Sequence, residues 1–294
     1  MPGIEDKSAS ITLAPGLYLV GTPIGNLEDI TLRALNVLRQ ADLIACEDTR
    51  QTQKLLSRYG IGTRTVSYHE HNEAERAAEL VAALEEGARV ALVTDAGMPG
   101  ISDPGFRLIS RAIDRDIAVV PVPGATAFAV ALIASGLPTD SFCFRGFLPA
   151  KRGQRRQVLE TIRASDQTQV FYEAPHRIKE ALEDVIAILG ERRPVVIARE
   201  LTKVHEEFLR GTAEEVRRTM GAGGEIKGEI TLLIGKAEAQ SERDLSAGEI
   251  SVRNRVEQIM SGENLDEKTA LKKVAKERGI SKSEAYREMQ RSKN

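Results

Sequence analysis

VALVTDAGMPGISDP, residues Val90 to Pro104, is the stretch on which the fold turns. A β-type run of Val90, Ala91, Leu92 and Val93 ends in Thr94-Asp95 and empties into Ala96-Gly97-Met98-Pro99-Gly100. Gly lets a backbone approach a ligand and take φ > 0, and Pro stiffens the loop. In open α/β sheets, small molecules bind in the crevice beyond the carboxyl ends of the strands. A tight strand-to-helix turn explains the same residues without a ligand. Two further junctions of this kind favour a shared crevice. Leu17-Tyr18-Leu19-Val20 runs into Gly21-Thr22-Pro23-Ile24-Gly25-Asn26, and Ile117 to Val122 runs into Pro123-Gly124-Ala125-Thr126-Ala127.

Outward from these loops the chain alternates β-like and helical segments. Strands are expected at Leu17–Val20, Asp42–Cys46, Arg64–Tyr68, Arg89–Thr94 and Ile117–Val122, with helices at Glu28–Gln40, Thr49–Tyr59, Asn72–Glu86 and Pro104–Arg115. Such alternation predicts an α/β fold with a mainly parallel sheet and helices on its faces. A helical run, Ala125–Ser135, stops at Gly136-Leu137-Pro138, a plausible domain junction. A second α/β block follows, with strands expected at Phe142–Phe147, Thr168–Glu173, Pro194–Arg199, Glu206–Gly211 and Glu229–Ile234. Its helix Ala174–Leu189 carries Ile178, Leu182, Val185, Ile186 and Leu189 on one stripe, with Pro175 in the first turn. The expected organisation is a flexible leader at 1–15, α/β domains at 16–137 and 138–235, a polar linker at 236–248 and a helical tail at 249–294. In that tail Ile250–Met260, Asp266–Glu277 and Lys282–Arg291 read as helices, and Gly279-Ile280-Ser281 gives a helix-turn-helix outline.

The 294 residues are 41% hydrophobic and 29% charged, the composition of a globular protein with real cores. No apolar run reaches the length of a membrane span, and the first ten residues lack the basic and apolar regions of a signal peptide. Cys46 and Cys143 read as reduced core thiols, so a cytoplasmic location is expected. The net charge is −2, but residues 245–294 carry +3. A second basic group, Lys151, Arg152, Arg155, Arg156 and Arg163, contains one acid, Glu160. Basic groups of this kind serve as phosphate contacts or as solvated helix faces.

The absent motifs also bear on function. Gly21 to Gly25 is neither a P-loop nor a dinucleotide G-x-G-x-x-G, which weighs against kinases, NTPases and dehydrogenases. There is no Gly-x-Ser-x-Gly elbow and no zinc-hydrolase His/Glu spacing. His69 and His71 straddle Glu70, either as metal ligands or as a surface helix start. Three charged strand ends stand out: Cys46-Glu47-Asp48-Thr49-Arg50, Tyr172-Glu173-Ala174-Pro175-His176-Arg177 and Ala198-Arg199-Glu200-Leu201-Thr202-Lys203. Each is explained alone by a helix cap or surface ion pair, and together they suggest a charged cleft.

GTPIGNLEDITLRAL, CEDTR, TDAGMPGISDPG, PVPGATA, GFLP, YEAPHR, ARELTK and KGEITLLIG, in this order over roughly residues 16–235, resemble the motifs of the tetrapyrrole-methylase-like superfamily. Within it they are most similar to the family that methylates the ribose 2′-hydroxyl of cytidine 1402 in 16S ribosomal RNA. The resemblance implies two α/β domains with S-adenosylmethionine held in the cleft between them, a homodimer, and the small ribosomal subunit as partner. By motif it places cofactor contacts at Pro23, Ile24, Asp95, Gly97, Met98, Ala125 and Thr126, with Tyr172 and Gly228 from the second domain. It implies no metal. Methyl transfer needs alignment of the oxygen, methyl and sulfur, together with removal of the hydroxyl proton. The motifs do not fix the base; the candidates are Glu200, Glu173 and Asp48, with a depressed-pKa Lys203 as an alternative. Substrate contacts are expected from Arg50, Lys151, Arg152, Arg155, Arg156, His176 and Arg177. A tetrapyrrole C-methyltransferase and an inactive RNA-binding assembly factor remain as alternatives.

Overall fold

The computed structural model describes residues 12–222, 226–237, 252–263, 265–277 and 280–291. All but the first two residues of the expected linker at 236–248 and most of the expected leader lie outside them. Two compact units divide the chain after Lys236.

The first sheet comprises β1 (Gly16–Val20), β2 (Leu43–Cys46), β3 (Thr65–Ser67), β4 (Arg89–Leu92) and β5 (Val119–Val122). Its order is β3-β2-β4-β1-β5 and every pairing is parallel, with Leu17 opposite Val90 on one side and Val119 on the other. A parallel sheet needs cover on both faces, which explains its continuous apolar strands. Leu35, Leu38 and Leu56, from α1 (Leu32–Gln40) and α2 (Thr49–Arg58), seal one face. Leu80, Leu84 and Leu108, from α3 (Glu73–Glu85) and α4 (Phe106–Ile113), seal the other.

The expected helix Glu28–Gln40 is shorter in the structure. A single 3-10 turn occupies Leu27–Asp29, the backbone is extended at Ile30, and Thr31 caps α1 by accepting from the Ala34 N–H at 3.0 Å. A Thr side chain competes for the backbone in this way and favours a new start over continuation. The expected Pro104–Arg115 likewise contracts to Phe106–Ile113.

The second sheet comprises β6 (Phe142–Phe147), β7 (Thr168–Glu173), β8 (Pro194–Arg199), β9 (Glu207–Thr212) and β10 (Ile230–Ile234), in the order β6-β7-β10-β8-β9. Only β6 and β7 pair in parallel; β10 runs antiparallel to both β7 and β8, and β9 to β8. One face packs on α6 (Arg152–Thr161), α7 (Ile178–Leu189) and α8 (Ala213–Ala222) through Leu159, Leu182, Val185 and Val216. The other face meets α5 (Ala127–Ser135), where Ala131 and Leu132 pack on Val170, Val196 and Leu233. Helix α5 is apolar on nearly every side, as a helix wedged between layers must be. Arg210 of β9 donates to the Ser135 and Ala134 carbonyls at 3.1 and 2.7 Å, satisfying the end of α5. Thus α5 precedes the Gly136-Leu137-Pro138 stop in sequence yet packs on the second sheet.

Helix α7 starts at Ile178, so Ala174–Arg177 is not helical and Pro175 does not occupy a first turn. The polar residues before it take a tight turn, with the Arg177 N–H donating to the Ala174 carbonyl at 3.0 Å.

The second unit contains α9 (Val252–Glu263), α10 (Glu267–Glu277) and α11 (Lys282–Arg291) around a core of Val256, Ile259, Leu271, Val274, Ala285 and Met289. Ser281 and Glu284 form a reciprocal capping box at the start of α11: the Ser281 hydroxyl accepts from the Glu284 N–H at 3.2 Å, and the Glu284 carboxylate accepts from the Ser281 N–H at 3.0 Å. Among the described residues no helix is long and apolar enough to cross a membrane.

Candidate active site

The parallel order of the first sheet brings the ends of β1, β2, β4 and β5 to one edge. The loops after β1 and β5 touch backbone to backbone. A Cβ on Gly21 would fall 2.7 Å from the Gly124 Cα, so no larger residue fits there. Thr22 and Gly97 then exchange backbone hydrogen bonds, with Thr22 N–H donating at 2.9 Å and Gly97 N–H at 3.2 Å. Gly97 has φ +90, a conformation that favours glycine. These contacts make a rigid rim at the mouth of the sheet.

The second sheet supplies the facing wall. A cavity of about 460 Å³ lies between the two and is lined by Ile24, Asp95, Gly97, Met98 and Thr126 from the first half and by Phe147, Tyr172, Leu201, Gly228 and Thr231 from the second. Its size and mostly apolar lining with a few polar groups suit a small-molecule cofactor. The halves are also joined directly: the Asn26 N–H donates to the Thr202 hydroxyl at 2.9 Å. Among the expected cofactor residues, Ile24, Asp95, Gly97, Met98, Thr126, Tyr172 and Gly228 line this one cavity. Pro23 is buried behind the rim and Ala125 packs in the apolar layer beside it.

Of the four candidate bases only Glu173 lines the cavity, and all four are ion-paired. Asp48 caps α2, accepting from the Arg50 N–H at 2.8 Å, and its carboxylate pairs with the exposed Arg50 guanidinium, which holds it below its usual range. Both residues are tied to each other rather than to the cavity. Glu173 lines the cavity wall, but strand alternation puts it on the opposite face of β7 from Tyr172. Burial pushes its carboxyl up, while the Ala174 N–H and Arg177, each at 2.7 Å, oppose the rise. Glu200 accepts from Lys203 at 2.8 Å and from the Glu229 N–H at 3.0 Å, and Lys203 holds it low. Lys203 itself is not a depressed base. Burial acts to lower it, but Glu200 and Glu229 raise it above its ordinary value, so it is a structural cation.

The basic group on α6 also needs correction. Arg155 is 0% exposed and binds Asp184 of α7, also buried, at 2.8 Å. It cannot reach a phosphate. Arg152, at 3.1 Å, shares the same carboxylate but stays largely exposed, as does Arg156, and Lys151 is exposed at the start of α6. Arg177 is held inward by Glu173, whereas His176 faces solvent. His69 and His71 stand edge to face, 6.0 Å apart, and among the described residues no group of three His, Cys, Asp or Glu is placed to hold a metal.

Three further residues line the cavity: Glu47, from the charged strand end at residues 46–50, and Asp103 and Phe147, which the expected site residues do not include. Glu47 and Asp103 line the cavity with Asp95 around the Thr94 hydroxyl, which donates to Glu47 at 3.2 Å. Burial raises all three carboxyls, and their mutual charge adds to the rise at Glu47 and Asp103; Asp103 reaches about 6. Phe147 ends β6 at the cavity wall, 56% exposed, with its ring edge-on to Tyr172 at 5.6 Å. The only sequence signals were the acids flanking the strand ends and the aromatic in Gly146-Phe147-Leu148-Pro149.

The tetrapyrrole (corrin/porphyrin) methylase family matches residues 16–217. A ribosomal RNA small subunit methyltransferase I from Halalkalibacterium halodurans is 51% identical over 271 residues, covering 92% of this chain and 93% of that protein. The chain belongs to the ribosomal RNA small subunit methyltransferase I family. Its counterpart from Streptococcus pyogenes serotype M1 is 44% identical and spans 97% of this chain and 96% of its own length, so the family likeness takes in the helical tail. Among solved structures, a diphthine synthase shares the fold at TM-score 0.59 and 17% identity, covering 74% of this chain and 89% of that one. The uroporphyrin-III C-methyltransferase of Thermus thermophilus does so at TM-score 0.53 and 24% identity, covering 78% and 98%. Membership makes this chain a methyltransferase, and the cavity between its sheets is its candidate active site.

Proposed function

We propose that this chain transfers a methyl group from S-adenosylmethionine to the ribose 2′-hydroxyl of cytidine 1402 in 16S ribosomal RNA. The observation that carries the cofactor assignment is the cavity itself. At about 460 Å³ it is large enough for a nucleoside-sized group, and Ile24, Met98 and Leu201 give it apolar walls. Its acids, Asp95 and Glu47, complement a cationic ligand. When bound, S-adenosylmethionine supplies an electrophilic methyl on a sulfonium. The chain's own residues then align the acceptor oxygen and exclude water, which supplies much of the rate.

The exposed Lys151, Arg152 and Arg156 are read as phosphate contacts, and the tail helices as a docking module whose surface Lys268, Lys272 and Lys276 add positive charge. We delimit the catalytic halves at residues 16–137 and 138–235. Exposed apolar side chains such as Phe106 and Ile133 support assembly as a homodimer. The names of the full-length relatives support the ribosomal substrate.

The test is transfer of a radiolabelled methyl group to small ribosomal subunits, naked 16S RNA and a tetrapyrrole, with mapping of the labelled nucleotide. Label at a ribose of small-subunit RNA is expected. Label on the tetrapyrrole alone, or none in any arm, would overturn the proposal.

A further inference from the structure

Two left-handed residues meet at the seam between the halves. Ser102 has φ +62 in the loop after β4, and Gly146 has φ +66 within β6. A Cβ on Gly146 would lie 3.3 Å from the Ser102 hydroxyl, so the two segments touch there. A serine held in this region is uncommon, and such positions concentrate where the surrounding structure fixes a functional geometry. The next residue along each segment is Asp103 on one side and Phe147 on the other. Both line the cavity. The contact therefore brings a carboxylate and an exposed aromatic ring, one from each half, into the same cavity. Asp103 acts on Tyr172, the neighbour of the Phe147 ring, through its charge.

The other cavity carboxylates have partners in the scaffold, and Glu173 among them pairs with Arg177 at 2.7 Å. Asp95 accepts from the Asp48 N–H at 3.1 Å, Glu47 from the Thr94 hydroxyl, and Glu229 from Lys203 at 3.2 Å. The charged neighbours that act on Asp103 are Glu47, beyond β2, and Asp95, beyond β4, both acids; His69 adjoins Glu47. The Thr94 hydroxyl favours its charged form.

We propose that the Asp103 and Phe147 pair is the subsite for the acceptor nucleoside: its unpaired base stacks on Phe147, and Asp103 takes the proton of the ribose hydroxyl. Proteins that act on single nucleotides stack the base on an aromatic side chain, and the ribose is one glycosidic bond away. As the O–CH₃ bond forms, the S–CH₃ bond breaks and its electron pair stays on sulfur, leaving a neutral thioether. The hydroxyl proton passes to the Asp103 carboxylate and then to water. A carboxyl of pKa about 6 is ionised at neutral pH and still basic enough for this transfer. The inference rests on the ribose-methylating function proposed above.

The experiment compares wild type with Asp103→Asn and Phe147→Ala, using S-adenosylmethionine and small ribosomal subunits. For Asp103→Asn the single-turnover rate should fall by about 10²–10⁴-fold, and the rise of rate with pH around 6 should vanish. Cofactor affinity by calorimetry should stay at the wild-type value. A thermal readout is independent of turnover. A carboxyl raised in the folded state binds its proton more tightly than in the unfolded chain, so wild type loses stability as pH rises from about 4 to about 6. Asp103→Asn should therefore melt higher than wild type at about pH 8, with no such gain at about pH 4. Phe147→Ala should weaken subunit binding by roughly 5–150-fold, the equivalent of one lost base stack, without changing cofactor affinity. Near-wild-type turnover in Asp103→Asn, a pH profile that survives it, or loss of cofactor affinity in it would each overturn the inference. If wild type itself leaves ribosomal RNA unlabelled, the proposed function fails and takes this inference with it.

Discussion

The two walls of the cavity handle charge in opposite ways. On the first wall Glu47, Asp95 and Asp103 sit together with burial raising each of them. On the second wall nearly every acid is bound to a base: Glu173 to Arg177, Glu200 and Glu229 to Lys203, and Arg199 to Glu207 at 2.8 Å. The strand directions explain the contrast. Parallel strands deliver several loops to one edge, so acids from distant stretches of sequence converge there, held by an N–H or a hydroxyl rather than by a base. In the mixed sheet the antiparallel β9 and β10 bring strands back along their neighbours, so each acid finds a base across a strand or a turn. The first wall is thus suited to binding and proton transfer, and the second to holding shape.

The largest effect should come from breaking the second half where its charges are deepest. Asp184→Ala strands the fully buried Arg155 guanidinium and should cost about 3–5 kcal/mol of stability in denaturant unfolding. A loss under about 1 kcal/mol would show that the pair contributes little to the scaffold.

The first half should respond in binding rather than in fold. Gly97→Val puts a branched side chain where φ is +90 and where even a Cβ lies 3.6 Å from the Ala125 carbonyl. Cofactor affinity should drop by about 100-fold or more, since a single side chain in a closed pocket can cost about 3 kcal/mol, while circular dichroism stays native. Normal affinity measured by calorimetry would remove this loop from the cofactor site.

The smallest effect belongs to the surface of α6. Replacing both Arg152 and Arg156 with Ala should flatten the salt dependence of RNA binding, each lost phosphate contact lowering the slope by about 0.7–0.9. Arg155 is left out because its burial removes it from any such contact. An unchanged slope would leave these two arginines as companions of Asp184 alone.

Much of this organisation is local and was readable along the chain. The apolar runs ending at Val20, Val93 and Val122, each followed by Gly and Pro, placed the loops that form the cavity rim. Glycine and proline act through their own backbone, so their effect is visible without a partner. The helical tail was legible for the same reason, through its spacing and the Ser281 cap.

The order of elements, the Gly/Pro rim and the family pattern that runs through them are legible along the chain. The tertiary structure alone decided which charges are free and which are spent. Arg155 looks like its neighbours Arg152 and Arg156 in sequence, and all three reach Asp184, but only the packing of α6 on α7 buries Arg155 and leaves the other two at the surface. Asp48 and Glu47 are adjacent acids, yet one caps a helix and the other faces the cavity. Burial raises the Asp103 carboxyl, and Glu47 and Asp95, 56 and 8 positions away in sequence, add to the rise because the parallel sheet brings them to the same edge. Propensity and turn chemistry act over a few residues and leave a trace in the sequence. Burial and Coulomb interactions act through space, and they exist only once the chain has folded.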